Sequence, residues 1–92
     1  MKNLHNINVL LMECDNYLKW NWNIDLQLDF SLINLQTNRY KLAETWKQVS
    51  QDFTFVKDET IWGDSIREQC AKVSDDLFNE NYNKIIKDLK GL

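Results

Sequence analysis

Three pairs of carboxylates stand close enough along the chain to work together: Asp25 with Asp29, Asp64 with Glu68, and Asp75 with Asp76. General acid–base catalysis needs such groups, or a histidine, tuned toward neutral pH. Asp64 and Glu68, four residues apart, share one face of a helix and could help to hold a divalent cation. Arg67 and Lys72 lie beside them and neutralise them, so the pair reads as a solvated face. The one histidine, His5, sits near the N-terminal end with no fixed geometry in which to serve as a base. Ser31, Ser50, Ser65 and Ser74 fall on polar faces without a histidine beside them, so no nucleophile, base and orienter come together. Cys14 and Cys70 form no CxxC pair, and a zinc site needs about four ligands at chelating spacing. Each lies on an apolar face, where a free thiol packs as a small hydrophobe. Neither GxxxxGK[ST] nor GxGxxG occurs to cradle a phosphate. The expectation is no enzyme: no catalytic residue, no metal and no cofactor.

The composition sets the frame for these residues. Ninety-two residues, 43% hydrophobic and 27% charged, make one small folded domain spanning 1–92, and 12% aromatic content argues against a disordered tail. No apolar run reaches the roughly 18–20 residues of a membrane span. The N-terminal residues, interrupted by Asn8 and Glu13, read poorly as a signal peptide. Two unpaired cysteines suit a reducing cytoplasm. Nine Lys against two Arg, with eleven Asn and seven Ile, suggest AT-rich codons of a bacterial, phage or plasmid genome. A net charge of −3 disfavours direct binding of nucleic acid.

Proline is absent and glycine is confined to Gly63 and Gly91, so helices should dominate. Leu4, Ile7, Leu10, Leu11, Cys14, Tyr17 and Leu18 share one side of a helical wheel, which predicts a helix from about Asn3 to Leu18. The next stretch has a different period. Leu18, Trp20, Trp22, Ile24, Leu26, Leu28, Phe30 and Leu32 alternate with polar residues, which is strand periodicity. Leu42, Ala43, Trp46, Val49 and Phe53 then define a second helix, and Phe53–Val56 suits a short strand. Trp62, Ile66, Cys70, Val73 and Leu77 define a third helix, capped by Thr60 or Asp58. Around Asn79–Asn81 the apolar face rotates, and Gly91 stops the last helical segment. The predicted fold is α+β: an N-terminal helix, one long bent strand or hairpin, and two to three helices on its apolar face. An all-α bundle is the alternative.

Fully extended, residues 18–32 would span roughly 46 Å, against a domain diameter of roughly 30 Å. The segment must therefore bend, fold back or project, and its backbone needs partners. A second copy across a two-fold axis would supply them, giving a homodimer, as would an edge from another protein.

With chemistry absent, the surface carries the functional expectation. The polar face of the alternating segment is mildly acidic, through Asp25 and Asp29, and the last third of the chain is acidic as well. Trp and Tyr are preferred interface anchors. Trp20, Trp22, Asp25, Asp29 and Tyr82 are the candidate partner-binding residues. The predicted function is a non-enzymatic protein-binding module, an accessory inhibitor such as an immunity protein, an antitoxin or a phage anti-defence protein. It would occupy the basic surface of a toxin or a nucleic-acid-processing enzyme. One alternative is a homodimeric structural subunit paired through the long strand. Another is a small-molecule binder with Trp20, Trp22 and Phe30 walling an apolar pocket.

Overall fold

A computed structural model describes residues 4–51 and 61–92, with side chains from residue 66 onward in the second stretch. Four helices and no strand are found among the described residues: α1 (Leu4–Trp22), α2 (Leu35–Gln51), α3 (Ile61–Phe78) and α4 (Tyr82–Lys90). This corrects the α+β expectation in favour of the all-α bundle. The short strand predicted at Phe53–Val56, its caps Asp58 and Thr60, and the core position given to Phe53 lie outside the described residues.

The correction centres on residues 18–32. Helix α1 does not stop at Leu18; it continues to Trp22, because Leu18 and Trp22 stand four apart and extend the stripe of Leu11 and Cys14. It ends in an αL cap. Asn23 adopts φ 56°, and its N–H donates to the Lys19 carbonyl at 3.0 Å. Asparagine is the residue after glycine best suited to that conformation. From Asn23 to Ser31 the chain is an irregular strap, and a 3₁₀ turn at Leu32–Asn34 leads it into α2.

The strap keeps the two-residue alternation without being a strand. Ile24, Leu26, Leu28 and Phe30 pack half-buried against the core, while Asn23, Asp25, Gln27 and Asp29 are exposed. Two of its carbonyls are met by buried asparagine side chains. Asn8 of α1 donates its amide to the Phe30 carbonyl, and Asn38 of α2 donates to the Asp29 carbonyl at 2.7 Å. Both asparagines are buried, at 6% and 3% exposure, and they meet two of the acceptors that a partner strand would otherwise engage. The strand-paired homodimer therefore loses the strand on which it rested.

The core is drawn from all four helices. Leu11, Cys14 and Leu18 meet Leu42, Ala43, Trp46 and Val49, with Cys70, Val73, Leu77, Ile85 and Leu89 closing the other side. The most extensive contact is between α2 and α3. Ser74, expected on a polar face, is instead buried there and donates to the Ala43 carbonyl at 2.8 Å. Helix α3 breaks where the apolar face was seen to rotate. Glu80 takes φ 58°, and the Asn81 N–H reaches back to the Asp76 carbonyl at 2.8 Å, the long bond of a Schellman turn. Arg39, only 4% exposed, completes this end: Nη1 donates to the Leu77 and Phe78 carbonyls at 2.6 and 3.2 Å. A cation on the last carbonyls of a helix also opposes the negative end of its dipole.

Candidate protein-binding surface

The extension of α1 separates the two tryptophans that strand periodicity would put on one face. Two helical steps turn them about 200° apart. Trp22 turns inward, half-buried, with its ring 5.5 Å from that of Trp46 in an edge-to-face contact. Trp20 turns outward and is 77% exposed, with Tyr17 one helical turn back at a centroid distance of 6.4 Å. Val9 and Met12, farther up α1, are exposed as well.

Lys19 joins the end of this helix to the strap. Its Nζ lies 3.3 Å from Asp15 Oδ2 and 3.8 Å from Asp25 Oδ1. Asp15 is nearly inaccessible, whereas Asp25 is open to solvent, so the lysine partly offsets the acidic charge beside Trp20. Asp25 and Asp29 do not act as a pair. Each closes its own Asx turn: Asp25 Oδ1 accepts from the Gln27 N–H at 2.9 Å, and Asp29 Oδ1 accepts from the Ser31 N–H at 3.2 Å. Asn34 donates to the second Asp29 oxygen at 3.2 Å. Both carboxylates are thereby held in fixed, exposed positions.

Tyr82 lies elsewhere, at the start of α4. It is half-buried against the core, and its hydroxyl donates to Glu80 Oε1 at 3.4 Å. Burial, with the Glu80 carboxylate beside it, raises its pKa. Glu80 in turn lies 3.7 Å from Arg39, whose guanidinium sits over the Tyr40 ring. Of the five candidate residues, then, Trp20 lies at the end of α1 next to Lys19, the partner of Asp25, and Asp25 and Asp29 lie on the strap. Trp22 packs in the core and Tyr82 at the α3–α4 turn. With Trp22 and Phe30 both packed against the core and Trp20 facing solvent, the three do not wall a common pocket.

The sequence pairing of Asp75 with Asp76 missed the contact that matters. Asp76 is 5% exposed, and the group facing it is Asp88, across the turn on α4. Burial, the Asp88 carboxyl within hydrogen-bonding reach and the charge of Asp88 push Asp76 up to about 7. Helical periodicity within α3 could not reveal a residue on the next helix. Both thiols are buried and free; burial alone pushes Cys70 up to about 12, and Cys14 is raised by burial and by nearby acids. Neither is poised as a nucleophile, since reactivity belongs to the thiolate. Among the described residues no group of three His, Cys, Asp or Glu is placed to hold a metal ion. No helix among them is long and apolar enough to cross a membrane.

Comparison with known proteins finds no match: no family model, curated protein or solved structure resembles the chain.

Proposed function

We propose that this protein is a non-enzymatic binding module that docks on a basic surface of another protein and so blocks it. An immunity protein, an antitoxin or a phage anti-defence protein would work in this way, in the cytoplasm. The observation that carries the reading is Trp20, an indole 77% exposed at the end of α1, next in the chain to Lys19, whose ammonium lies 3.8 Å from the exposed carboxylate of Asp25. An indole this exposed contributes little to packing in the free domain beyond its contact with Tyr17, and tryptophan is among the residues enriched at interface hot spots. The carboxylates of Asp25 and Asp29 would add charge complementarity, which raises association rates and excludes unsuitable partners.

Affinity capture with the intact chain, followed by quantitative binding, tests this. Trp20→Ala should weaken a captured partner by about 2–4 kcal/mol. Asp25→Lys with Asp29→Lys should slow association and reverse its salt dependence. Glu68→Lys, on the exposed side of α3, is the control and should change neither. A partner that binds all these variants alike sinks the proposal, as does a chain that captures none.

A further inference from the structure

We propose that the strap is a latch: residues 24–34 lift from α1 and α2 as one unit while the four helices stay folded, turning on Asn23 at one end and on the start of α2 at the other. The latch is a property of the chain alone and does not rest on the Trp20 reading. Closed, it holds Asp25 beside Lys19. Open, it carries Asp25 and Asp29 away from the helices and uncovers the sides of α1 and α2 from which Asn8 and Asn38 reach it.

The strap is fastened at its ends. At the first, the Asn23 and Ile24 N–H groups donate to the Lys19 and Leu18 carbonyls at 3.0 and 3.2 Å. At the second, the Asn8 and Asn38 amides hold the Phe30 and Asp29 carbonyls. Between them, among the described residues, 25–28 make no hydrogen bond to a helix, and the Lys19–Asp25 ion pair is open to water on both sides. The 3₁₀ turn has no buried residue, and Asn34 ties it to Asp29, so it can swing with the strap. The strap's apolar side chains, Ile24, Leu26, Leu28 and Phe30, are all half-buried, and the most extensive helix contact, α2 with α3, is made without them. A segment with few fully buried contacts and an exposed backbone opens more readily than the core beneath it.

Closure also carries costs of its own. Asn8 Oδ1 and Asp15 Oδ1 are shut off from water and receive no hydrogen bond. The two residues are 6% and 2% exposed and stand seven apart on one face of α1. Asp15 falls between the two fastenings, one turn before Lys19, so the strap's path crosses it. Lifting the strap returns both acceptors to water, and a buried acceptor without a donor disfavours the closed form. Gln27 adds to the cost, since at φ 51° a residue with a side chain occupies the left-handed region. Half-buried side chains and two asparagine amides favour closure. The orphaned acceptors, Gln27 and the entropy of ordering the strap favour opening.

Solvent-exchange NMR on the whole chain, at increasing urea, tests this. The side-chain amides of Asn8 and Asn38 report on the strap because their protons are held by its carbonyls. The backbone amides of Trp46 and Leu77 report on the helices, where both residues are fully buried. Both asparagines should show protection at least tenfold below that of the helix amides and nearly independent of urea, because lifting the strap exposes little surface. Two variants then locate the opening. Ile24→Ala lies at the end of the strap away from Asn8 and Asn38, and it should speed exchange at both asparagines roughly tenfold if the strap moves as a unit. Leu26→Ala gives the same reading should the first variant fail to fold. Val73→Ala, in the α3 core, should speed the helix amides and leave the asparagines unchanged, since its contacts survive in the open form. Three results would overturn the proposal: asparagine protons that exchange only with the helix amides and at their urea dependence, asparagines that ignore the strap variants, or asparagines that follow Val73→Ala.

Discussion

Replacing Arg39 by methionine isolates the energetic role of one buried cation. The substitution keeps the apolar stem and removes a guanidinium that donates to Leu77 O, Phe78 O and Gln36 Oε1. The bond to the Leu77 carbonyl is buried, so its loss leaves a full orphan, about 2 kcal/mol. The Phe78 carbonyl is partly buried and can recover some of its loss from water, which leaves about 1 kcal/mol. The Glu80 ion pair, whose carboxylate is half-exposed, adds under about 1 kcal/mol. Relief from burying a charge offsets part of this. The net expectation is a loss of about 2–4 kcal/mol, a large share of the roughly 5–10 kcal/mol that holds so small a domain together. Urea unfolding followed by tryptophan fluorescence measures it, with the slope against denaturant as a check that compactness is unchanged. Arg39→Lys keeps the charge but not the fork and should lose about half as much. A midpoint for Arg39→Met within about 1 kcal/mol of the parent, at equal slope, refutes the idea that Arg39 caps α3.

Three further predictions follow from the same structure. Because Asp76 is raised from 3.8 to about 7 by burial and by Asp88, the folded state holds its proton more tightly than the unfolded state does. Its stabilising contribution is therefore complete below the unfolded value and is lost as pH rises toward 7. Asp76→Asn should flatten this part of the profile and gain about 1–3 kcal/mol at pH 8; parallel profiles for the two proteins would count against it. Trp22→Ala should cost about 3 kcal/mol in urea unfolding through its lost contact with Trp46. Trp20→Ala should stay within about 0.5 kcal/mol of the parent, and equal losses would return the pair to a common face. Asn38→Ala should cost about 1–2 kcal/mol in thermal or urea unfolding and raise hydrogen exchange in the strap, since the Asp29 carbonyl loses its donor.

How far the fold can be read from the sequence depends on the range of the interactions involved. Leu42, Ala43, Trp46 and Val49 are buried on one face of α2, as their spacing predicts, because a helix meets its core through residues three and four apart. The rotation of the apolar face at Asn79–Asn81 marks a true helix end, with Glu80 in the left-handed region. Residues 18–32 mislead because two periods overlap there. Leu18 and Trp22 obey the helical one and Ile24 to Phe30 the two-residue one, and the change falls at Asn23. The alternation of apolar and polar residues correctly describes which side chains turn inward along the strap. It carries no information on hydrogen-bond partners, and those are Asn8 and Asn38, far away in the chain. Of the candidate surface, exposed carboxylates at Asp25 and Asp29 were legible from their place among polar residues. The opposite orientation of Trp20 and Trp22 was not, since it follows from the extra turn of α1.

The way the strap is fastened bears on how a partner could recognise it. An unpaired strand would offer a row of main-chain donors and acceptors to any edge that approached. Here several of those groups are already engaged. The Asn23 and Ile24 N–H groups turn back to the end of α1, those of Gln27 and Ser31 are taken by their own Asx turns, and the carbonyls of Asp29 and Phe30 by asparagine amides. Asn23 and Gln27, both at positive φ, interrupt the extended backbone that β-augmentation requires. Recognition through this face must then rely on side chains: the exposed indole of Trp20 and the two carboxylates held by their own turns. Fixing those carboxylates before contact lowers the entropy lost on binding, so a segment without regular structure presents a defined surface all the same.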